Sequence, residues 1–205
     1  MGEQTELKVF MYSRTGRLEI PSTDIINFHS NASVKSYCDT FQLTLKQQKG
    51  ELGSLIEPKK EIEIWAGKKE EFHKLIAGYI DKIVTEKKEN LDEITQIFGR
   101  SYDAVLVDTK ISGKIDFEQG YSQAIRMLLK NTPFSEGEVE NSTGKGTLIF
   151  RGIAIMEIIK YIVEVSGWIF RLDYDKKYHF IRALPQKSVH TLENKDIKSY
   201  RIVKQ

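Results

Sequence analysis

The chain has 205 residues, 40% hydrophobic and 29% charged, with a formal net charge of +2 and one cysteine. There is enough apolar side chain for a packed core, and acids interleave with bases, which excludes wholesale disorder, a basic nucleic-acid patch and a polybasic membrane anchor. A single cysteine, Cys38, excludes an intrachain disulfide and any multi-cysteine metal site.

Apolar runs stay far below the ~20 residues of a membrane-spanning helix. The opening M-G-E-Q-T-E-L-K has neither the basic nor the apolar region of a secretory signal, so folding in the cytosol is expected. Residues 7–12 read as a first strand and 13–16 as a turn ending on glycine; 18–21 and 25–28 are short extended pieces. Residues 37–45 make the clearest strand. Tyr37, Asp39, Phe41, Leu43 and Leu45 share one face, with Asp39 at the edge of the core, while Thr40, Gln42 and Thr44 take the other. Cys38 within it reads as a small buried hydrophobe. Residues 50–53 with Pro58 mark a long connection. At 61–65 Ile62 and Ile64 point inward and Glu61 and Glu63 form the wet side, followed by a hairpin turn over 67–71.

Ile76, Gly78 and Ile80 alternate with Ala77, Tyr79 and Asp81, a strand with two different faces. A charged turn at 87–90 leads to a second strand through Thr95, Ile97 and Phe98. Gly99, Arg100 and Ser101 then break the pattern, and Val105, Leu106 and Val107 lead away. Short strands with charged hairpins indicate a small antiparallel barrel or sandwich. The period changes after it. Tyr121, Ile125, Leu128 and Leu129 form one helical stripe stopped by Pro133, with Asp116 and Gln119 resembling a capping box. Residues 135–146 are expected to be a flexible loop. Ile155, Ile158, Ile159, Ile162 and Val165 form a second helix capped by Gly167; strands at 168–172 and 178–182 flank a hairpin, and a last strand spans 197–203. The organisation is mainly β plus α+β, in two domains, 1–98 and 99–205.

No chemistry converges in the sequence. His29, His73, His179 and His190 lack metal-ligand spacing. Residues 142–147 (S-T-G-K-G-T) miss the phosphate-loop spacing, and Glu136, Glu138 and Glu140 before them repel phosphate. Asp39, Glu61, Glu63, Asp81 and Asp108 supply carboxylates but no facing pair, the Asn31 and Asn141 glycosylation patterns lack a secretory signal, and the lysine pairs sit at hairpin tips. No catalytic, cofactor-binding or metal-binding residue is assigned, no cofactor is expected, and the chain reads as a structural or interaction protein, not an enzyme.

The ordered set of G-Y-I-D-K-I (78–83), I-F-G-R-S-Y-D-A-V-L-V-D (97–108), C-D-T-F-Q-L-T-L (38–45), the helix-then-G-W segment at 155–170 and the D-Y-D-K-K-Y-H-F hairpin resembles the late-control-D family of tail hubs, including Mu-like and PBSX-like prophage hubs. The likeness spans roughly 5–205. It implies an N-terminal antiparallel β-barrel followed by a small α+β domain with two helices on a sheet. In that family a second barrel usually follows, and this chain stops before one. The implied role is a baseplate hub joining tail tube to central spike in a phage tail or contractile injection machine. The implied partners are itself, as a homotrimer in the full-length hub, and the tail tube, spike and baseplate proteins. Specific nucleic-acid binding and membrane insertion are not expected. The implied location is the virion tail or injection particle, assembled in the bacterial cytoplasm. Two other readings are the hub-like N-terminal part of a tail-associated cell-wall hydrolase, and a receptor- or glycan-binding tail-tip module for which Trp65 and Trp168 are the exposed-aromatic candidates, though both sit in apolar patterns.

Overall fold

The computed structural model describes residues 6–13, 16–32, 38–46, 50–68, 71–86 and 93–183. The expected strand over 197–203 and the turn at 87–90 lie outside them. Seven strands form one antiparallel sheet: β1 (Glu6–Ser13), β2 (Gly16–Ile20), β3 (Ile25–Asn31), β4 (Thr40–Lys46), β5 (Glu61–Lys68), β6 (Glu71–Glu86) and β7 (Ile94–Ser101). Their spatial order is β2-β1-β5-β6-β7-β4-β3. The terminal strands β2 and β3 are chain neighbours through a 3-10 turn at Ser22–Asp24, and among the described residues no ladder joins them.

Alternation decides the inner face. Val9, Met11, Ile20, Leu43, Leu45, Ile62, Ile64, Ile76, Ile80 and Ile97 are buried together in a first core. Each such side chain contributes roughly 1.5–3 kcal/mol of burial, so strand register is strongly held. The connection expected at 50–53 contains a short helix, α1 (Gly50–Leu55), whose Leu55 reaches the same core. Cys38 is half-buried in a bend before β4, not within the strand.

Beyond β7 the chain forms α2 (Ala104–Asp108), β8 (Lys110–Phe117), α3 (Tyr121–Leu129), β9 (Ser135–Val139), β10 (Gly146–Ala154), α4 (Ile155–Ser166), β11 (Trp168–Leu172) and β12 (Lys177–Arg182). β8 pairs with β10, and β11-β12-β9 form a second small sheet in which β9 runs parallel to β12. Leu106, Phe117, Ile125, Leu128, Ile155, Ile159, Ile162 and Phe180 lie in a second core. The two helical stripes are as expected, and Gly167 caps α4 with φ 69°. Val165 is the exception, 46% exposed at the end of the stripe.

Three sequence expectations are corrected. The flexible loop over 135–146 begins with the strand β9: Glu136 takes a two-pronged bond from Arg126 and the Tyr178 hydroxyl, while Gly137 leaves room for the His179 ring. The strand's polarity is satisfied by side chains far away in sequence. The capping box at Asp116 is absent. Gly120 is the N-cap, Gln123 Oε1 accepts from the backbone of Glu118 and Gln119, and Asp116 sits in β8 accepting from Thr147. Finally, Gly99, Arg100 and Ser101 do not break the strand. They continue β7: Gly99 and Arg100 pair with both β4 and β6, and Ser101 pairs with β6 while its amide donates to the Asp39 carbonyl.

Gly78 and Gly99 are small because two strands and a ring close on them. A Cβ on Gly78 would lie 1.9 Å from the Arg100 carbonyl oxygen, and one on Gly99 2.3 Å from the Phe41 ring. Gly78→Ala should therefore lower stability by at least about 2 kcal/mol in urea denaturation. Gly113→Ala should cost less than about 1 kcal/mol, because its Cβ would meet only Phe150, at 3.4 Å, an ordinary contact.

Candidate functional site: the joint between the two cores

The centre of β6 is covered on both faces. Ile76 and Ile80 enter the first core, whereas Ala77 is fully buried in the second and Tyr79 packs against it. Tyr79 meets Tyr102 edge to face, with ring centroids 5.3 Å apart. Tyr174, in the β11–β12 hairpin, touches both cores. A strand apolar on one face and wet on the other would serve a free-standing sheet; here the second face is the joint.

Four polar contacts tie that hairpin to the sheet. The Tyr174 hydroxyl donates to Asp39 Oδ2 at 2.7 Å. Lys74 Nζ bonds Asp175 Oδ1 at 2.7 Å and also the Tyr174 carbonyl. Lys176 pairs with Glu61 and stands over the Tyr102 ring. Burial first, then the Asp39 carboxylate, pushes the Tyr174 phenol well above its usual range.

Glu63 departs from expectation. Its residue is only 6% exposed, although it lies on the face opposite the first core. Lys74 Nζ sits 3.0 Å from its carboxylate, Arg17 3.2 Å, and Trp65 Nε1 donates at 3.1 Å. Burial alone would raise this carboxyl, but the bonds from Lys74, Trp65 and Tyr12 outweigh it and hold it below its ordinary value. Arg17 also stacks over Phe10, so cationic side chains roof this part of the sheet. Trp65 belongs to that roof, and Trp168 stacks on Phe180 with centroids 5.1 Å apart.

Arg100 is the clamp. Nε and Nη2 take both oxygens of Asp81 at 2.7 and 3.0 Å; Nη1 and Nη2 take both oxygens of Asp108 at 3.0 and 2.7 Å. One guanidinium thereby joins β6, β7 and the end of α2. Its bonds to the two carboxylates raise the Arg100 pKa, and they lower that of Asp108.

Just inside the clamp, Ser101 Oγ accepts from the Asp39 amide at 3.0 Å and donates to Asp103 Oδ2 at 3.1 Å. Burial, opposed by the Ser101 bond and helped by Asp39, pushes the Asp103 carboxyl up to about 6.

The structure thus brings together Asp39, Glu61, Asp81 and Asp108, which the sequence listed only as scattered carboxylates, and each has a partner. His29, His73 and His179 do not converge, and the described residues contain no cluster able to hold a metal ion. No helix among them is long and apolar enough to cross a membrane. Lys74, Ser101, Tyr174 and Lys176 carry no signal of their own in the sequence, because each has a partner in the joint that lies 62 to 135 residues away.

No family model matches the sequence, and no curated protein does either. Solved structures share the fold. The 43 kDa tail protein of prophage MuSo2 from Shewanella oneidensis matches with a TM-score of 0.65 and 20% identity over 91% of this chain and 58% of its own. The tail protein of Neisseria meningitidis MC58 matches with a TM-score of 0.65 and 14% identity, covering 85% and 50%. A Francisella PdpA–VgrG complex matches with a TM-score of 0.56 and 10% identity, covering 90% and 32%. The chain spans 58% and 50% of the length of the two tail proteins.

Arg100→Lys keeps the charge but loses both forks, and is expected to cost about 1–2 kcal/mol in urea unfolding. The Asp103 carboxyl has a folded-state pKa above the ordinary 3.8, so its stabilising contribution is complete below about pH 3.8 and is lost as pH rises through about 6. Asp103→Asn retains an acceptor for Ser101 and cannot ionise. Its urea midpoint should exceed wild type at pH 7.5, and the two curves should converge towards pH 4.

Proposed function

We propose that this chain is a structural component of a phage-type tail or contractile injection machine, a baseplate hub that joins the tail tube to a central spike. The observation that carries the reading is a fold shared with two prophage or bacterial tail proteins over 91% and 85% of the chain. The similarity to a VgrG-containing complex over 90% of the chain points the same way. In this reading the seven-stranded sheet curls into a barrel, bringing β2 towards β3. The chain divides into a barrel domain and an α+β domain, with the boundary moved from 98 to Ser101, where β7 ends. The full-length hub is a homotrimer contacting tube, spike and baseplate proteins in the assembled particle. It works as a connector and not as an enzyme.

The joint suits such a connector physically. Its carboxylates and cations are paired, and its two cores share one long strand, so force applied to one half reaches the other through packed side chains and a ladder. A reactive group would have to be left partly unpaired, and at this joint the carboxylates of Asp39, Asp81, Asp103 and Asp108 all accept hydrogen bonds.

Deleting the reading frame from its native genome should leave tail tubes without complete baseplates in negative-stain electron micrographs of induced particles. Complementation with the full-length gene should restore them. Complete tails in the deletion strain would overturn the hub reading. Peptidoglycan release by the purified protein, lost on acid-to-amide changes, would overturn the non-enzymatic one.

A further inference from the structure

The outer face of the seven-stranded sheet has two unlike halves. Over β2, β1, β5 and β6 it is roofed by Arg17, Lys74 and Trp65 or covered by the second core. Over β3, β4 and β7 its residues are exposed or half-buried, with neither of these covers among the described residues. Those three strands read I-I-N-F-H-S-N, T-F-Q-L-T-L-K and I-T-Q-I-F-G-R-S, and only Lys46 and Arg100 in them are charged. In a chain with 29% charged residues this is a marked departure.

Register places the side chains in rows. His29, Gln42 and Phe98 stand side by side across β3, β4 and β7, and Asn31, Thr40 and Arg100 form the next row. A groove of about 450 Å³ runs over both rows. That volume lies within the usual range for small-molecule sites, about 300–1,000 Å³. Among the described residues, the side chains of His29, Asn31, Thr40 and Gln42 have no intramolecular hydrogen-bond partner. Arg100 closes one end with its donors already committed to Asp81 and Asp108.

The chemistry selects a ligand class. A nucleic acid would need uncommitted cations, and the groove has none. A protein partner would need an apolar centre of several large side chains, and the groove offers one half-buried ring, Phe98. Amide, hydroxyl and imidazole groups that both donate and accept, set beside one aromatic face, fit a neutral, hydroxyl-rich ring whose C–H face lies on the phenyl group. We propose that the β3–β4–β7 face is a binding site for a neutral oligosaccharide, with Phe98 as the stacking platform and Gln42, His29 and Asn31 as hydrogen-bonding groups.

The test is isothermal titration of the full chain with cellohexaose, maltohexaose and chitohexaose at millimolar concentration. Saturable binding of at least one is expected. Gln42→Ala and Phe98→Ala should each weaken it about fivefold to tenfold. Trp65→Phe, on the roofed half, should leave it unchanged, and circular dichroism should show all three variants folded. Absence of saturable binding by all three sugars overturns the proposal, as does binding indifferent to both Gln42→Ala and Phe98→Ala in folded protein. Concentration-dependent self-association abolished by Gln42→Arg, without sugar binding, would assign the face to a second copy of the chain instead.

Discussion

The middle of β6 is buried on both faces, and most of the architecture depends on that constraint. Ile76 and Ile80 are needed by one core, Ala77 and Tyr79 by the other, so the strand has no solvent side at this point. A shift of one residue would exchange the two sets and place a tyrosine in the first core. Ala77 has to be small for the second core to approach, and Gly78 has to lack a side chain because the Arg100 carbonyl lies directly over it. The bulge between Ile80 and Lys82 follows: it ends the doubly buried stretch and turns Asp81 outward towards Arg100.

Arg100 converts this packing arrangement into a fixed angle. Its two forks reach carboxylates 19 residues before it and 8 residues after it, from a strand and from a helix end. Lysine, a point charge on a flexible stem, would pair with either carboxylate without setting their orientation. The hairpin holding Tyr174, Asp175 and Lys176 is anchored on both sides of β6, through Glu61 of β5, Lys74 of β6 itself and Asp39 beside the end of β7. The joint is therefore gripped from two directions. Surface ion pairs individually stabilise by little, but here they surround buried apolar contacts that already hold the partners in place.

The same sheet uses charge very unevenly. Acids and bases crowd β5 and β6, where they neutralise one another around the joint, while β3, β4 and β7 are almost uncharged. The proposed connector role and the proposed ligand face use different parts of the sheet: the joint is gripped by paired charges, and the β3–β4–β7 face carries few charges.

Much of this was legible in the primary structure. Period-2 alternation located β4, β5 and β6, and the 3.6-residue stripes located α3 and α4, because burial of one face imposes a pattern on neighbouring residues. The runs around Asp81, Arg100 and Asp108 were visible as motifs, yet read as punctuation; only the fold shows that they are the two halves and the centre of one clamp. Glu63 was misread for a related reason. Alternation places it correctly on the outer face, but whether that face is wet depends on Arg17 and Lys74, which arrive from β2 and β6, beside Trp65 of its own strand. β9 was missed because its polar residues are satisfied by Arg126, Tyr178 and His179, from α3 and β12. The sequence by itself determined which residues point inward, since that follows from local chain geometry and the hydrophobic effect. What covers the opposite face was decided only by the tertiary structure, because the groups that cover it are supplied by distant parts of the chain.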